Sequence, residues 1–177
     1  TSSETLQSAP ACTILSEAGT AAGSGTSFTC TLELSGNEAE GTATFSATAG
    51  YADVAGNTGD ADTSADSGSV NVDFTAPTET CGSIDISADT GTADDDFNTK
   101  TAAQTITCTL TGALDGTDVL YITVDAGSNW AVATSSVSGT AVSVASQTLS
   151  GSSSINFKVA DATGNELASS AQSYTLD

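Results

Sequence analysis

The sequence predicts an all-β protein built of two tandem modules. Three observations predict it: apolar residues fall in short alternating runs, one pair of motifs recurs in the same order, and four cysteines form two local pairs. The runs are bounded by Gly, Asn, Asp and Ser, and no stretch keeps a helical period, which is the pattern of many short strands.

The recurrence sets the modules. T-C-T-L stands at 29–32 and again at 107–110, and D-x-x-G-N follows at 53–57 (DVAGN) and 161–165 (DATGN). Each copy opens on a run with a cysteine, passes through T-C-T-L, enters D-x-x-G-N from a later run and closes on a last short strand. Pro77, in VDFTAPT, has no N–H to give a sheet and biases the residue before it to extended backbone, as a hinge requires. The expected organisation is an arm at 1–10, a short module at 11–76 and a full module at 77–177.

The second module offers seven strands, near 82–88, 103–111, 117–124, 129–134, 140–149, 154–161 and 170–176. In SINFKVA, Ile155, Phe157 and Val159 take one face while Asn156 and Lys158 take the other. VLYITVD is apolar on both faces, which suits a strand inside a sheet. Seven short strands in such a length fit a Greek-key sandwich. The first module offers four, near 11–16, 26–35, 41–51 and 68–74. From Leu32 to Asp53 is 21 residues, where Leu110 to Asp161 is 51. The shortfall is enough for about three strands, and four strands of small residues leave an unpaired edge and an uncovered face.

The succession YADVAGNTG, SVNVDFTAPT and a new strand resembles the immunoglobulin-like repeats of large bacterial cell-surface adhesins. There a D-x-A-G-N turn, a final strand and a T-A-P linker recur from module to module. The resemblance covers both halves and implies two immunoglobulin-like β-sandwiches, a role in surface architecture and no catalysis. The cysteines depart from it, since most such repeats lack them.

Charge narrows the partners. Twenty-two acidic residues face only Lys100 and Lys158, for a net charge of −20. Such a field repels phosphate backbones and anionic head groups, so nucleic acid and membrane surfaces are poor partners and cations good ones. No stretch has the length of a membrane span. Solubility would account for the total charge, though not for its clusters.

Cys12 and Cys30, and Cys81 and Cys108, form no C-x-x-C, and the chain has no histidine, which argues against zinc. The chain opens at Thr1 with neither Met nor an apolar leader. An even cysteine count in a chain that reads as processed favours two disulfides, an extracellular setting and a removed signal peptide, although a trimmed chain would look the same. Of three connectivities, the repeat register favours 12–30 and 81–108, each contributing about 3 kcal/mol by loop closure. Four buried thiols are the alternative.

The acidic clusters allow two readings. Asp53 with Asn57, and Asp161 with Asn165, are turn residues in one, with Gly and Asn taking left-handed backbone. In the other their oxygens are hard ligands for Ca2+, helped by Asp60, Asp62 and Asp66, by Asp89, Asp94, Asp95 and Asp96, or by Asp73 at the hinge. None matches the D-x-D-x-D-G calcium loop, and the run Asp94–Asp96 reads equally as a solvated loop. Trp130 reads as core or edge packing rather than a sugar platform, and Lys158 as an outward strand charge. Without His or Arg the usual bases and oxyanion donors are missing, and aromatics at 5% are too few for a glycosidase cleft.

The expected function is therefore structural and extracellular. The leading form is a subunit of a self-assembling surface filament or pilus, a homopolymer held by β-strand complementation. Leu6 would anchor the donor arm, and Phe28, Leu32 and Leu34 would receive it. The alternative is a pair of stalk modules in a calcium-dependent adhesin. A weaker third is a protein that binds a host or surface ligand such as a glycan.

Overall fold

The computed structural model describes residues 1–64 and 68–177, and it is all-β. Asp66, named above among the calcium candidates, lies outside the described residues. The chain divides into two compact units, Thr1–Phe74 and Thr75–Asp177. Among the described residues no helix is long and apolar enough to cross a membrane.

The first unit holds β1 (Cys12–Ile14), β2 (Glu17–Ala18), β3 (Thr20–Ser24), β4 (Ser27–Thr31), β5 (Gly41–Thr42), β6 (Phe45–Ala47) and β7 (Asn71–Val72). Four strands were expected; seven short ones form among the described residues. The difference lies in 17–24, whose small residues alternate too weakly to announce a strand. Local turn chemistry decides it instead: Gly25, at φ 69°, opens a two-residue turn that pairs Ser24 with Ser27 and zips β3 to β4. The predicted strand at 41–51 breaks in two, and its halves join different partners, β5 with β7 and β6 with β1. Three small sheets result, β2-β1-β6, β3-β4 and β5-β7.

The second unit holds β8 (Cys81–Ile86), β9 (Asn98–Thr99), β10 (Ala103–Leu110), β11 (Val119–Thr123) and β12 (Ala131–Val132). A single 3-10 turn at Thr134–Ser136 leads on to β13 (Val137–Ser138), β14 (Ala141–Thr148), β15 (Ser152–Ala160), β16 (Glu166–Ala168) and β17 (Gln172–Leu176). One sheet runs β13-β14-β10-β8; the other runs β12-β11-β15-β17-β9, with β16 also on β15. Their inward residues share one core. Ile106, Cys108, Leu110, Val142 and Val144 come from the first sheet, and Leu120, Ile122, Ile155, Phe157 and Val159 from the second. This is sandwich packing, with inward and outward residues alternating along each strand. Ser169 Oγ, on the second sheet's chain, accepts the Cys81 N–H of the first sheet at 2.7 Å. Tyr174 Oη donates to the Val124 carbonyl at 2.7 Å, so this buried ring keeps its polar end satisfied.

Two bulges shape the first sheet. Between Thr107 and Thr109 of β10, three steps of β8 oppose two, with Ser83 at φ 52°; between Gln104 and Ile106, the same happens on β14, with Ser146 at φ 60°. The bulge in β8 falls on the sheet's outer strand, where it twists the edge out of template geometry.

Candidate functional site

The two T-C-T-L strands have different surroundings. In the second unit the motif lies in β10, eight residues long and paired on both sides, to β8 and to β14. In the first unit its first three residues lie in β4, five residues long and paired to β3 alone, with Leu32 just beyond. β14 belongs to the stretch for which the first module has no counterpart, so β4 has no equivalent of its second neighbour among the described residues.

A cavity of about 580 Å³ lies beside β4. Its apolar lining comes from Leu6, Phe28, Phe45, Tyr51 and the cystine of Cys12 and Cys30; Glu4, Asp53 and Asp62 line it too. Alternation along β4 aims this wall, since Phe28 and Cys30 are half-buried while Ser27, Thr29 and Thr31 are exposed. Buried apolar residues in the described part of this unit are few: Leu6, Cys12 and Val72. Leu34, Phe45, Val54 and Val70 are instead exposed, at 49, 37, 69 and 66%. Of the residues expected to receive a strand, Phe28 lines the cavity and Leu32 is half-buried one residue past β4, while Leu34 lies beyond it in solvent.

The first ten residues are held against this same unit. Ser2 N–H donates to Thr26 O (2.8 Å), Leu6 N–H to Gly25 O (2.9 Å) and Gln7 N–H to Ala52 O (2.9 Å), while Thr5 O accepts from Val54 N–H (3.2 Å). Leu6 is the arm's one buried residue, 9% exposed, bridged between Gly25 and Asp53. The arm thus crosses the tip of the β3–β4 hairpin and does not run along β4.

The disulfides also differ. Cys81–Cys108 links β8 to β10, which are hydrogen-bonded neighbours; Cys12–Cys30 links β1 to β4, which belong to separate sheets. Gly19 passes close over the Cys12–Cys30 bridge. A Cβ there would run into Cys30 Sγ and lie 3.1 Å from Cys12 Sγ.

The D-x-x-G-N motifs are turn locks. Asp53 Oδ1 accepts the Asn57 backbone N–H and Oδ2 the Asn57 side-chain amide, each at 2.8 Å. Asp161 repeats this with Asn165 at 2.9 and 2.9 Å, and its Oδ1 also accepts the N–H groups of Thr163 and Gly164. Sequence reasoning missed a third copy, Asp125 with Asn129, at 2.9 and 2.6 Å, because its glycine sits one place earlier (DAGSN). Spacing alone, Asp followed four residues on by Asn, would have found it. The Asn129 side chain holds the Asp125 carboxyl down to about 2. Burial pushes Asp161 up, and hydrogen bonds from Asn165 and Thr163 outweigh it, leaving that carboxyl at about 2. The Asn57 side chain and backbone N–H lower Asp53 likewise.

In these turns both oxygens of each carboxylate accept N–H donors, which accounts for the Asp–Asn pairs as turn chemistry without a cation. Asp96 is spent the same way, its oxygens accepting N–H groups from Thr92, Ala93 and Asn98. Asp89 Oδ2 accepts the Phe97 N–H. Asp62 Oδ1 caps Ser64, and Asp73 directly follows β7. Asp60, Asp94 and Asp95 are exposed, and among the described residues no three acidic or cysteine side chains converge on a point that could hold a metal.

Lys158 stands on the outer face of β15. Its ammonium lies 2.7 Å from Glu166 Oε1, 4.7 Å from the Trp130 ring centre and 5.4 Å from that of Tyr121. Trp130, half-buried, is thus one wall of a lysine clamp. No family profile matches the chain, and no curated protein matches it.

Proposed function

We propose that the chain is a non-enzymatic, extracellular structural protein. In this reading its modules are immunoglobulin-like sandwiches, and copies assemble into a surface filament in which each first unit accepts a β-strand from a neighbour. One observation carries this: β4 lines a cavity of about 580 Å³ and has a single strand partner, where its counterpart β10 has two. An incoming strand would pair with the open edge of β4 through backbone hydrogen bonds and set alternate side chains into the cavity. Covering what remains exposed of Phe28 and Phe45 is worth about 1 kcal/mol for each. Such contacts are heterologous, and where the rotation does not close they generate fibres. The two disulfides suit an oxidising compartment.

Negative-stain microscopy and light scattering over a concentration series test the proposal. Filaments of uniform diameter are expected above a threshold concentration. Monodisperse rods at every concentration and salt would overturn it in favour of a passive stalk spacer.

A further inference from the structure

We infer that the strand each first unit accepts is residues 1–7 of a second copy, exchanged for the unit's own. The inference rests on the filament proposal and names its donor.

The receptor already recognises this segment. Four backbone hydrogen bonds and the burial of Leu6 hold it in its own chain. None of these contacts depends on which copy supplies the arm, so exchange loses nothing in kind. Thr1, Ser2, Ser3, Glu4 and Leu6 of this segment all line the cavity.

The intramolecular arrangement leaves something to gain. The last arm bond is Gln7 N–H to Ala52 O, and Ala11 O already accepts Thr48 N–H at the start of the sheet. Three residues, Ser8, Ala9 and Pro10, span that gap. So short a tether, stiffened by Pro10, pins the arm at the hairpin tip, and the cavity stays open along β4. An arm from a second copy escapes this tether. Its Leu6 end can keep the hairpin-tip contacts while the rest lies along the unpaired edge of β4 and covers Phe28 and Phe45. The chain's own arm is then a plug that delays assembly until a neighbour replaces it.

The test uses the full chain with Gln7, an exposed residue, replaced by p-benzoyl-phenylalanine. Equal amounts of 14N- and 15N-labelled chain are mixed before assembly and irradiated after it, and the assemblies are reduced, to open the Cys12–Cys30 bridge between the same peptides, and digested after glutamate for mass spectrometry. Cross-links from residue 7 to the β3–β4 hairpin or the Asp53 turn should carry one light and one heavy peptide in the statistical proportion of the mixture. Filaments whose cross-links are all light–light or heavy–heavy would overturn the exchange and leave strand acceptance standing with another donor. Absence of any assembly would overturn both.

Discussion

β4 and β10 are built on the same Thr-Cys-Thr-Leu motif, whose Leu32 falls just past the end of β4, and they meet different fates. β10 is sheathed by β8 and β14, and its Ile106, Cys108 and Leu110 lie in a core shared by two sheets. β4 has one neighbour and faces a cavity. The motif therefore does not set how well its strand is covered. Coverage comes from the residues between the motif and the D-x-x-G-N turn, which the second unit has and the first lacks. The first unit relies on a covalent tie between sheets where the second relies on packing.

That contrast can be attacked at several points. Phe157→Ala, at a fully buried site, should cost about 3–5 kcal/mol, whereas Phe28→Ala, half-buried beside the cavity, should cost about 1 kcal/mol. Chemical denaturation of both variants checks this, and equal losses would break the comparison.

Replacing Cys12 and Cys30 by Ser should cost about 3 kcal/mol. Hydrogen exchange should then show the first unit opening while the second stays protected. The matching change at Cys81 and Cys108 should lower the second unit's stability without opening it, because its core remains.

Acid sharpens the comparison next. A carboxyl depressed by folding contributes stability that is present above its ordinary value, near 3.9, and lost as pH falls through its folded value. For Asp125 and Asp161, both at about 2, the second unit should weaken between about pH 4 and pH 2. Asn129→Ala should raise the Asp125 midpoint toward the ordinary value, read by carboxyl NMR titration. Asp118 runs the other way: burial raises it, and Asp115, Glu79 and Asp161 add repulsion. Asp118→Asn should therefore stabilise the second unit slightly at neutral pH. The smallest effect concerns calcium. With the Asp oxygens of the turns already engaged, chelator should leave the thermal midpoint of both units unchanged in a calorimetric scan.

Most of the second unit was legible because apolar alternation there is strong. Ile155, Phe157 and Val159 declare their face, and each predicted strand overlaps an observed one. The pieces missed, β9, β13 and β16, are two or three residues long, too short to carry a period. Gln104 shows another limit. It occupies a core-facing position of β10 at 3% exposure, its amide donating to Thr101 O and Ala88 O and accepting from Ala88 N–H, and nothing in its type announces burial. In the first unit, side chains as small as those of TAAGS leave the outcome to turn geometry and tertiary pairing. The shortfall between Leu32 and Asp53 could be counted in the sequence. That the arm closes back on its own hairpin could not, because those bonds are made by backbone.

The lysine clamp on β15 has a consequence for digestion. A chain without arginine offers trypsin-like proteases only the bonds after Lys100 and Lys158. Lys158 sits mid-strand between β11 and β16, its ammonium covered by Trp130, Tyr121 and Glu166 and its side chain 17% exposed. Such an enzyme needs an accessible, extended segment with the basic side chain free to enter its specificity pocket. In the folded protein that leaves the bond from Lys100 to Thr101, between β9 and β10, as the sole point of attack by this class of protease.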